Sequence, residues 1–206
     1  MLQSTTKSLL EGRVILASGS PRRREILENL GLKIEIIPST FDEKLNRSNY
    51  KNHGDFVADL AAHKVQDVFK RLKENSDSAV SLIIGADTIV TKGNEIYGKP
   101  TDKKDAFTTL SFLAGKTHTV FTGVCLKTLE KEVKFWNSTE VTFGNISMDQ
   151  INAYVETGEP LDKAGGYGIQ GVGGCFVEKI NGDFYTVVGL PLYSTIKHLN
   201  NLFCEV

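Results

Sequence analysis

Val14-Ile15-Leu16-Ala17-Ser18-Gly19-Ser20-Pro21-Arg22-Arg23-Arg24-Glu25-Ile26-Leu27 is the stretch that decides the fold. Residues 14–17 are an apolar, partly β-branched run, the pattern of a buried strand. Ser18-Gly19-Ser20 is a turn of small residues. Ser20 suits an N-cap, and Pro21 suits the first helical position. Ile26, Leu27 and Leu30 then form an apolar helical face, which Gly31 stops. The stretch reads as strand, tight turn, helix, with backbone N–H groups at the helix start open to an anion. Its charge is unusual. A helix start already carries partial positive charge, so each cation there costs from a few tenths to ~1 kcal/mol. Arg22, Arg23 and Arg24 nevertheless fill that turn. A multiply charged anion would offset the repulsion, and the guanidinium fork matches phosphate oxygens. A solvated basic turn is the plainer alternative.

Downstream, Lys33 to Pro38 reads as a short strand and Ser39 to Asn52 as a polar loop. The loop's Asp42 and Glu43 either sit in solvent, the commoner case, or face the anion site. Residues 54–74 carry Val57, Leu60, Ala61, Val65, Val68 and Leu72 at helical spacing. Lys64 falls on or beside that stripe. It either snorkels to the edge, the usual fate of such a lysine, or aims into a cleft. After a polar loop over 74–81, residues 81–90 read as a central strand with a small-residue break at Gly85-Ala86. Asp87 interrupts this apolar run. A buried carboxylate is costly unless paired, hydrogen-bonded or bound to a cation. That makes Asp87 the best acid-base or metal candidate, against the alternative of a carboxylate bonding a turn.

Lys92-Gly93-Asn94-Glu95 is a turn. Asp102 caps a helix that Gly115 ends. Strands over 118–127 and 133–143 pair as a hairpin, and Ser147 with Gln150 makes a capping box. Residues 158–174 include seven glycines, a composition that lets backbone approach a ligand closely or makes a floppy linker. Leu161, Ile169 and Val172 are expected to anchor this segment. It also carries Asp162, Lys163, Tyr167 and Gln170, side chains suited to a nucleotide. Residues 175–180, Asn181-Gly182 and 184–188 give a hairpin signal. A last helix opens at Leu190-Pro191.

The 206 residues are 40% hydrophobic and 24% charged, as expected for one soluble globular domain over 1–206 with residues 1–12 as an N-terminal extension. A net charge of −1 gives no case for nucleic acid or an anionic membrane. Cys125, Cys175 and Cys204 are scattered and form no CxxC pair, which fits a reducing compartment. No run approaches the ~20 apolar residues of a membrane span, and the first dozen residues do not read as a secretory signal. Helices, an early β-turn-α unit and hairpins together indicate α/β with a mixed sheet. An anion site with Lys and Arg candidates and isolated carboxylates suits phosphate-ester chemistry assisted by a divalent cation.

Ser18-Gly19-Ser20-Pro21-Arg22-Arg23, Gly85-Ala86-Asp87-Thr88, Gly98-Lys99-Pro100 and Asp162-Lys163-Ala164-Gly165-Gly166-Tyr167-Gly168-Ile169-Gln170-Gly171 strongly resemble the Maf family of nucleoside triphosphate pyrophosphatases, in the family's order and spacing. The resemblance runs from Arg13 to about Leu202. It implies an inosine-triphosphatase-like mixed α/β fold with two lobes around a deep cleft. It implies hydrolysis of a nucleoside triphosphate to the monophosphate and pyrophosphate with Mg²⁺ or Mn²⁺. By the same resemblance, Asp87 matches the general base, and Lys64 and Lys99 match lysines that reach the phosphates. Arg22 and Arg23, with Ser18 and Ser20, match the phosphate-binding turn. Glu43 matches a carboxylate near the metal, which Asp87 shares. Thr88 and Gln170 match positions tied to base choice and look like the subgroup acting on dTTP and UTP. Asp162 and Lys163 complete the substrate-binding set. Gly166 stands where Ala is common. The cysteine usage and the lack of a secretory signal point to a cytoplasmic protein, while the family implies a homodimer and a second reading as a nucleotide-binding regulator of cell division with little turnover. A third reading, release of phosphate from the γ end, is open until products are identified.

Overall fold

The computed structural model describes residues 12–75 and 80–203. The N-terminal extension before residue 12, the middle of the 74–81 loop and Cys204 lie outside the described residues. Among the described residues, seven strands form one mixed sheet. β1 (Val14–Leu16) pairs in parallel with both β2 (Ile34–Ile36) and β3 (Leu82–Lys92), with Val14 opposite Ile34 and Leu82. β3 turns at Gly93, φ 61°, into antiparallel β4 (Glu95–Tyr97). β5 (Thr117–Lys127) lies between β3 and β6 (Glu132–Phe143), and β7 (Val177–Asn181) runs antiparallel to β6. The order is β2-β1-β3-β5-β6-β7, with β4 on β3. The expected mixed sheet flanked by helices is present.

The chain divides into two compact units. The first holds the described residues up to Asp87, Thr122–Asn137, and those from Gly189 onward. Here α1 (Pro21–Asn29) follows β1 as the sequence predicts, and Gly31 takes a left-handed φ of 83°. α2 (His53–Glu74) is capped by Asn52, whose side chain accepts from Asp55 N. Its buried stripe of Ala61, Val65, Val68 and Leu72 packs with Ile15, Ala17, Ile83 and Cys125. Two glycines set how closely this helix lies on the sheet. A Cβ on Gly85 would overlap Val65 and the Ala61 carbonyl, and one on Gly123 would overlap the Val57–Ala58 backbone. Gly85-Ala86 is therefore not a break in the strand. β3 runs through it, and the glycine is there because a helix crosses it. α6 (Leu192–Phe203) begins after Pro191, whose carbonyl accepts from Thr195 N.

The second unit comprises Thr88–Phe121 and Ser138–Val188. α3 (Lys103–Leu113) is capped by Asp102, and Gly115 follows at φ 66°. α4 (Met148–Glu156) carries both halves of the Ser147–Gln150 capping box. Their buried faces meet Val90, Val120, Val141, Phe143, Tyr167 and Phe176 in one core. Residues 184–188 depart from expectation. They form a short helix, α5 (Phe184–Val188), not the second arm of a hairpin. Asp183 Oδ2 accepts from Thr186 N at 2.7 Å and from Thr186 Oγ1 at 2.8 Å, so a local cap outweighs the Asn-Gly turn signal.

Candidate functional site

The turn between β1 and α1 is built around Ser18. Its buried Oγ accepts from Ser20 N at 3.3 Å and from Arg23 Nη1 at 3.0 Å. Ser20 occupies the N-cap position with extended backbone, but its side chain makes no cap bond. The first turn holds no acidic residue, so its N–H groups and positive end suit an anion. The three arginines play three different parts. Arg24 pairs with Glu28 one turn on, at 2.7 Å, as a surface ion pair. Arg23 is buried, and its Nε donates to the Gly189 carbonyl at 2.8 Å. Burial pulls its pKa below the ordinary value, while the nearby charges of Asp87 and Glu43 work the other way. Arg22 is half-buried on the same turn.

Asp87 ends the first unit's share of β3 and is 8% exposed. Lys64, from the middle of α2, does not snorkel. Its Nζ lies 2.5 Å from Asp87 Oδ1 and 2.7 Å from Glu43 Oε1, with its side chain 12% exposed. Glu43 reaches it from the 39–52 loop, so this carboxylate is paired rather than free in solvent, while Asp42 pairs with Lys44. One buried ammonium thus stands between two carboxylates. Among the described residues no group of three or more His, Cys, Asp or Glu side chains is gathered as a metal site, and the two carboxylates here are met by the Lys64 ammonium.

The loop that delivers Glu43 is clamped to α2 by residues the sequence reading did not single out. Asp67 accepts from Ser39 Oγ at 3.0 Å and Thr40 N at 2.9 Å, and Arg71 Nη2 joins Asp67 to the Pro38 carbonyl. Phe41 stacks on His63 at 4.8 Å and 8°. Burial pushes the Asp67 carboxyl pKa up, but these hydrogen bonds and Arg71 hold it below its usual value. The only hint in sequence is spacing. His63, Asp67 and Arg71 recur every four residues beside Lys64, one row of a helix face.

The remaining expected residues lie in the second unit. Thr88 is half-buried on β3, and Lys99 is exposed on the turn after β4. Asp162 is exposed and pairs with Lys163 at 2.5 Å, while Lys163 Nζ also donates to the Glu159 carbonyl at 2.7 Å. Gln170 is exposed. The glycine-rich segment is not a linker. It is three short 3-10 turns, Glu159–Asp162, Ala164–Gly166 and Val172–Phe176. Of its three expected anchors, Ile169 is half-buried and the other two are exposed. Leu161 and Val172 are 37% and 55% exposed, whereas Pro160, Tyr167 and Phe176 are buried. Tyr167 OH meets His118 Nε2 at 2.8 Å inside the core. Burial lowers the His118 pKa to about 4 and raises that of Tyr167.

An α/β protein whose first helix start is arranged for an anion, beside a buried carboxylate held by lysine, belongs among phosphate-handling proteins in outline. The family can be stated directly. A family model described as Maf-like protein matches residues 13–202, and the chain belongs to that family. The dTTP/UTP pyrophosphatase of Bacillus anthracis is 46% identical over 194 residues, covering 94% of this chain and 97% of that one. The probable bifunctional dTTP/UTP pyrophosphatase/methyltransferase protein of Homo sapiens is 45% identical over 203 residues. That match covers 95% of this chain, which spans only 33% of the human protein. Among solved structures, the Staphylococcus aureus Ham1 protein aligns over 64% of this chain and 71% of its own at 10% identity and a TM-score of 0.38, a likeness too slight to carry an argument.

Proposed function

We propose that the protein hydrolyses dTTP and UTP to the monophosphate and pyrophosphate, removing nucleotides, normal or modified, from the pool. The observation that carries this reading is the Glu43–Lys64–Asp87 cluster within a family whose relatives are named for that activity. The triphosphate lies against the uncapped start of α1, where Arg22 binds it. Arg23, anchored on Ser18 and Gly189, adds positive charge from behind. Lys64 and Lys99 neutralise phosphate oxygens. Asp87 orients a water and takes its proton as the water oxygen bonds to the α-phosphorus. The bond from that phosphorus to the bridging oxygen breaks, and pyrophosphate leaves with the electron pair. Positioning and charge neutralisation supply most of the rate. Mg²⁺ or Mn²⁺, held by Glu43 and Asp87, would add further charge neutralisation on the phosphates.

Thr88, Gln170, Asp162 and Lys163 are assigned to the nucleoside, with Gln170 hydrogen-bonding the pyrimidine edge. The same reading places the protein in the cytoplasm as a homodimer. No described helix is long and apolar enough to cross a membrane. The test is product identification from a panel of nucleoside triphosphates with Mg²⁺. Pyrophosphate and monophosphate from dTTP and UTP, with purines poor, is the expected result. Phosphate and diphosphate would overturn the bond assignment. Binding without turnover in a folded sample would favour a nucleotide-responsive regulator.

A further inference from the structure

Glu159 is assigned no part in the reaction above, yet the glycine-rich segment is wrapped around it. Its Oε1 accepts from Tyr154 OH at 2.9 Å and from Gly173 N at 3.3 Å, and its Oε2 accepts from Val172 N at 3.0 Å. Tyr154 OH in turn accepts from Gly168 N at 3.2 Å. The chain is thus fastened at 168 on one side of Gln170 and at 172–173 on the other, through one carboxylate and one hydroxyl. The glycines follow from this wrapping. A Cβ on Gly171 would overlap the Glu159 carboxylate, and one on Gly173 would come within 2.5 Å of Tyr154 OH. These two glycines are therefore required by internal side chains, Gly171 by the Glu159 carboxylate and Gly173 by the Tyr154 hydroxyl bonded to it. A carboxylate accepting several N–H and O–H bonds fixes backbone direction more tightly than neutral contacts do.

We propose that Glu159 is the positioning residue that fixes Gln170 in the orientation for reading the nucleobase. This rests on the assignment of Gln170 to the base. Glu159 does not touch the nucleotide. It accepts from the Val172 and Gly173 N–H groups after Gln170 and, through Tyr154 OH, steadies Gly168 N before it, so the side chain is presented from a rigid turn and pays less ordering entropy on binding. In Glu159→Gln, one acceptor oxygen becomes an NH₂ donor facing an N–H or O–H donor, and the wrap loosens with little change in volume.

The test compares kcat and KM for dTTP and dATP in the parent, Glu159→Gln, Gln170→Ala and the double variant, with melting temperatures alongside. Loss of the Gln170 hydrogen bond to the base predicts a rise of up to about tenfold in KM for dTTP, with kcat and KM for dATP within about twofold. The double variant should be no worse than Gln170→Ala alone, because both changes remove the same contact. Tyr154→Phe, which deletes only the hydroxyl, should shift the preference in the same direction by less and serves if Glu159→Gln does not fold. If Gln170→Ala erases the dTTP preference while Glu159→Gln and Tyr154→Phe keep it, the positioning role is wrong and base reading stands. Multiplying losses in the double variant would also overturn the role. If Gln170→Ala leaves the preference intact, the base assignment itself is wrong.

Discussion

Lys64 Nζ lies 2.5 Å from Asp87 Oδ1, and both side chains are nearly buried. A pair this enclosed contributes little net stability, because desolvation offsets attraction, but removing one member strands the other's charge. Lys64→Met should therefore destabilise the protein by up to about 3 kcal/mol in urea unfolding. Asp87→Asn keeps shape and an acceptor oxygen, and Glu43 still meets the Lys64 charge, so it should melt within a few degrees of the parent. Its turnover of dTTP should fall by about 10²-fold or more. A folded Asp87→Asn protein with near-normal turnover would remove Asp87 from the chemistry.

The neighbouring arginines separate binding from folding. Arg23 is tied to Ser18 Oγ and the Gly189 carbonyl, so Arg23→Ala takes this donor from the buried Gly189 carbonyl, leaves Ser18 Oγ with Ser20 N alone, and should cost about 2 kcal/mol of stability. Arg22→Ala should change stability by less than about 0.5 kcal/mol yet raise KM for the nucleotide. Equilibrium unfolding and steady-state kinetics on both variants check this. Equal stability of the two would contradict the structural role given to Arg23.

Gly85 controls the spacing of α2 on β3. An added methyl meets Val65 and the Ala61 carbonyl, so Gly85→Ala should cost about 1–3 kcal/mol. Val65 adjoins Lys64, and Gly85 lies two residues before Asp87, so turnover should fall with it. Gly144→Ala, whose Cβ would find its nearest atoms at 3.9 Å, should stay within about 0.5 kcal/mol of the parent and serves as the control.

His118 makes the second unit's stability depend on pH. Its pKa is about 4 when folded, against 6.5 ordinarily, because burial disfavours the cation. Above 6.5 it is neutral in both states and contributes no slope. As pH falls from 6.5 towards 4, the unfolded chain takes up a proton that the folded chain does not, so stability declines, by about 3 kcal/mol in all. His118→Phe should show a flatter decline than the parent in that window. Parallel curves would contradict it.

Local patterns in the sequence were legible where local physics decides them. The β1-turn-α1 unit, the α2 stripe, the Asp102 cap and the Ser147–Gln150 box all depend on residues within a turn of one another. Lys64 and Asp87 are each odd in the sequence, but their pairing joins positions 23 residues apart and needs the fold. Gly85 reads as a break because a sequence does not show which helix crosses a strand. The Asn181-Gly182 signal concealed the Asp183–Thr186 cap that starts α5. The anchors of the glycine-rich segment were misplaced because Glu159, a charged residue, does the anchoring that apolar residues were expected to do. Arg22 and Arg23 read alike in the sequence, with only Arg24 outside the family motif, since a run of arginines does not say which one faces inward.

The central claim is that Asp87 directs water to the α-phosphorus of a pyrimidine nucleoside triphosphate. Hydrolysis of dTTP in water enriched in heavy oxygen, with mass analysis of both products, tests it most directly. The account predicts the label in dTMP and none in pyrophosphate. Label in pyrophosphate, or in released phosphate, would contradict it.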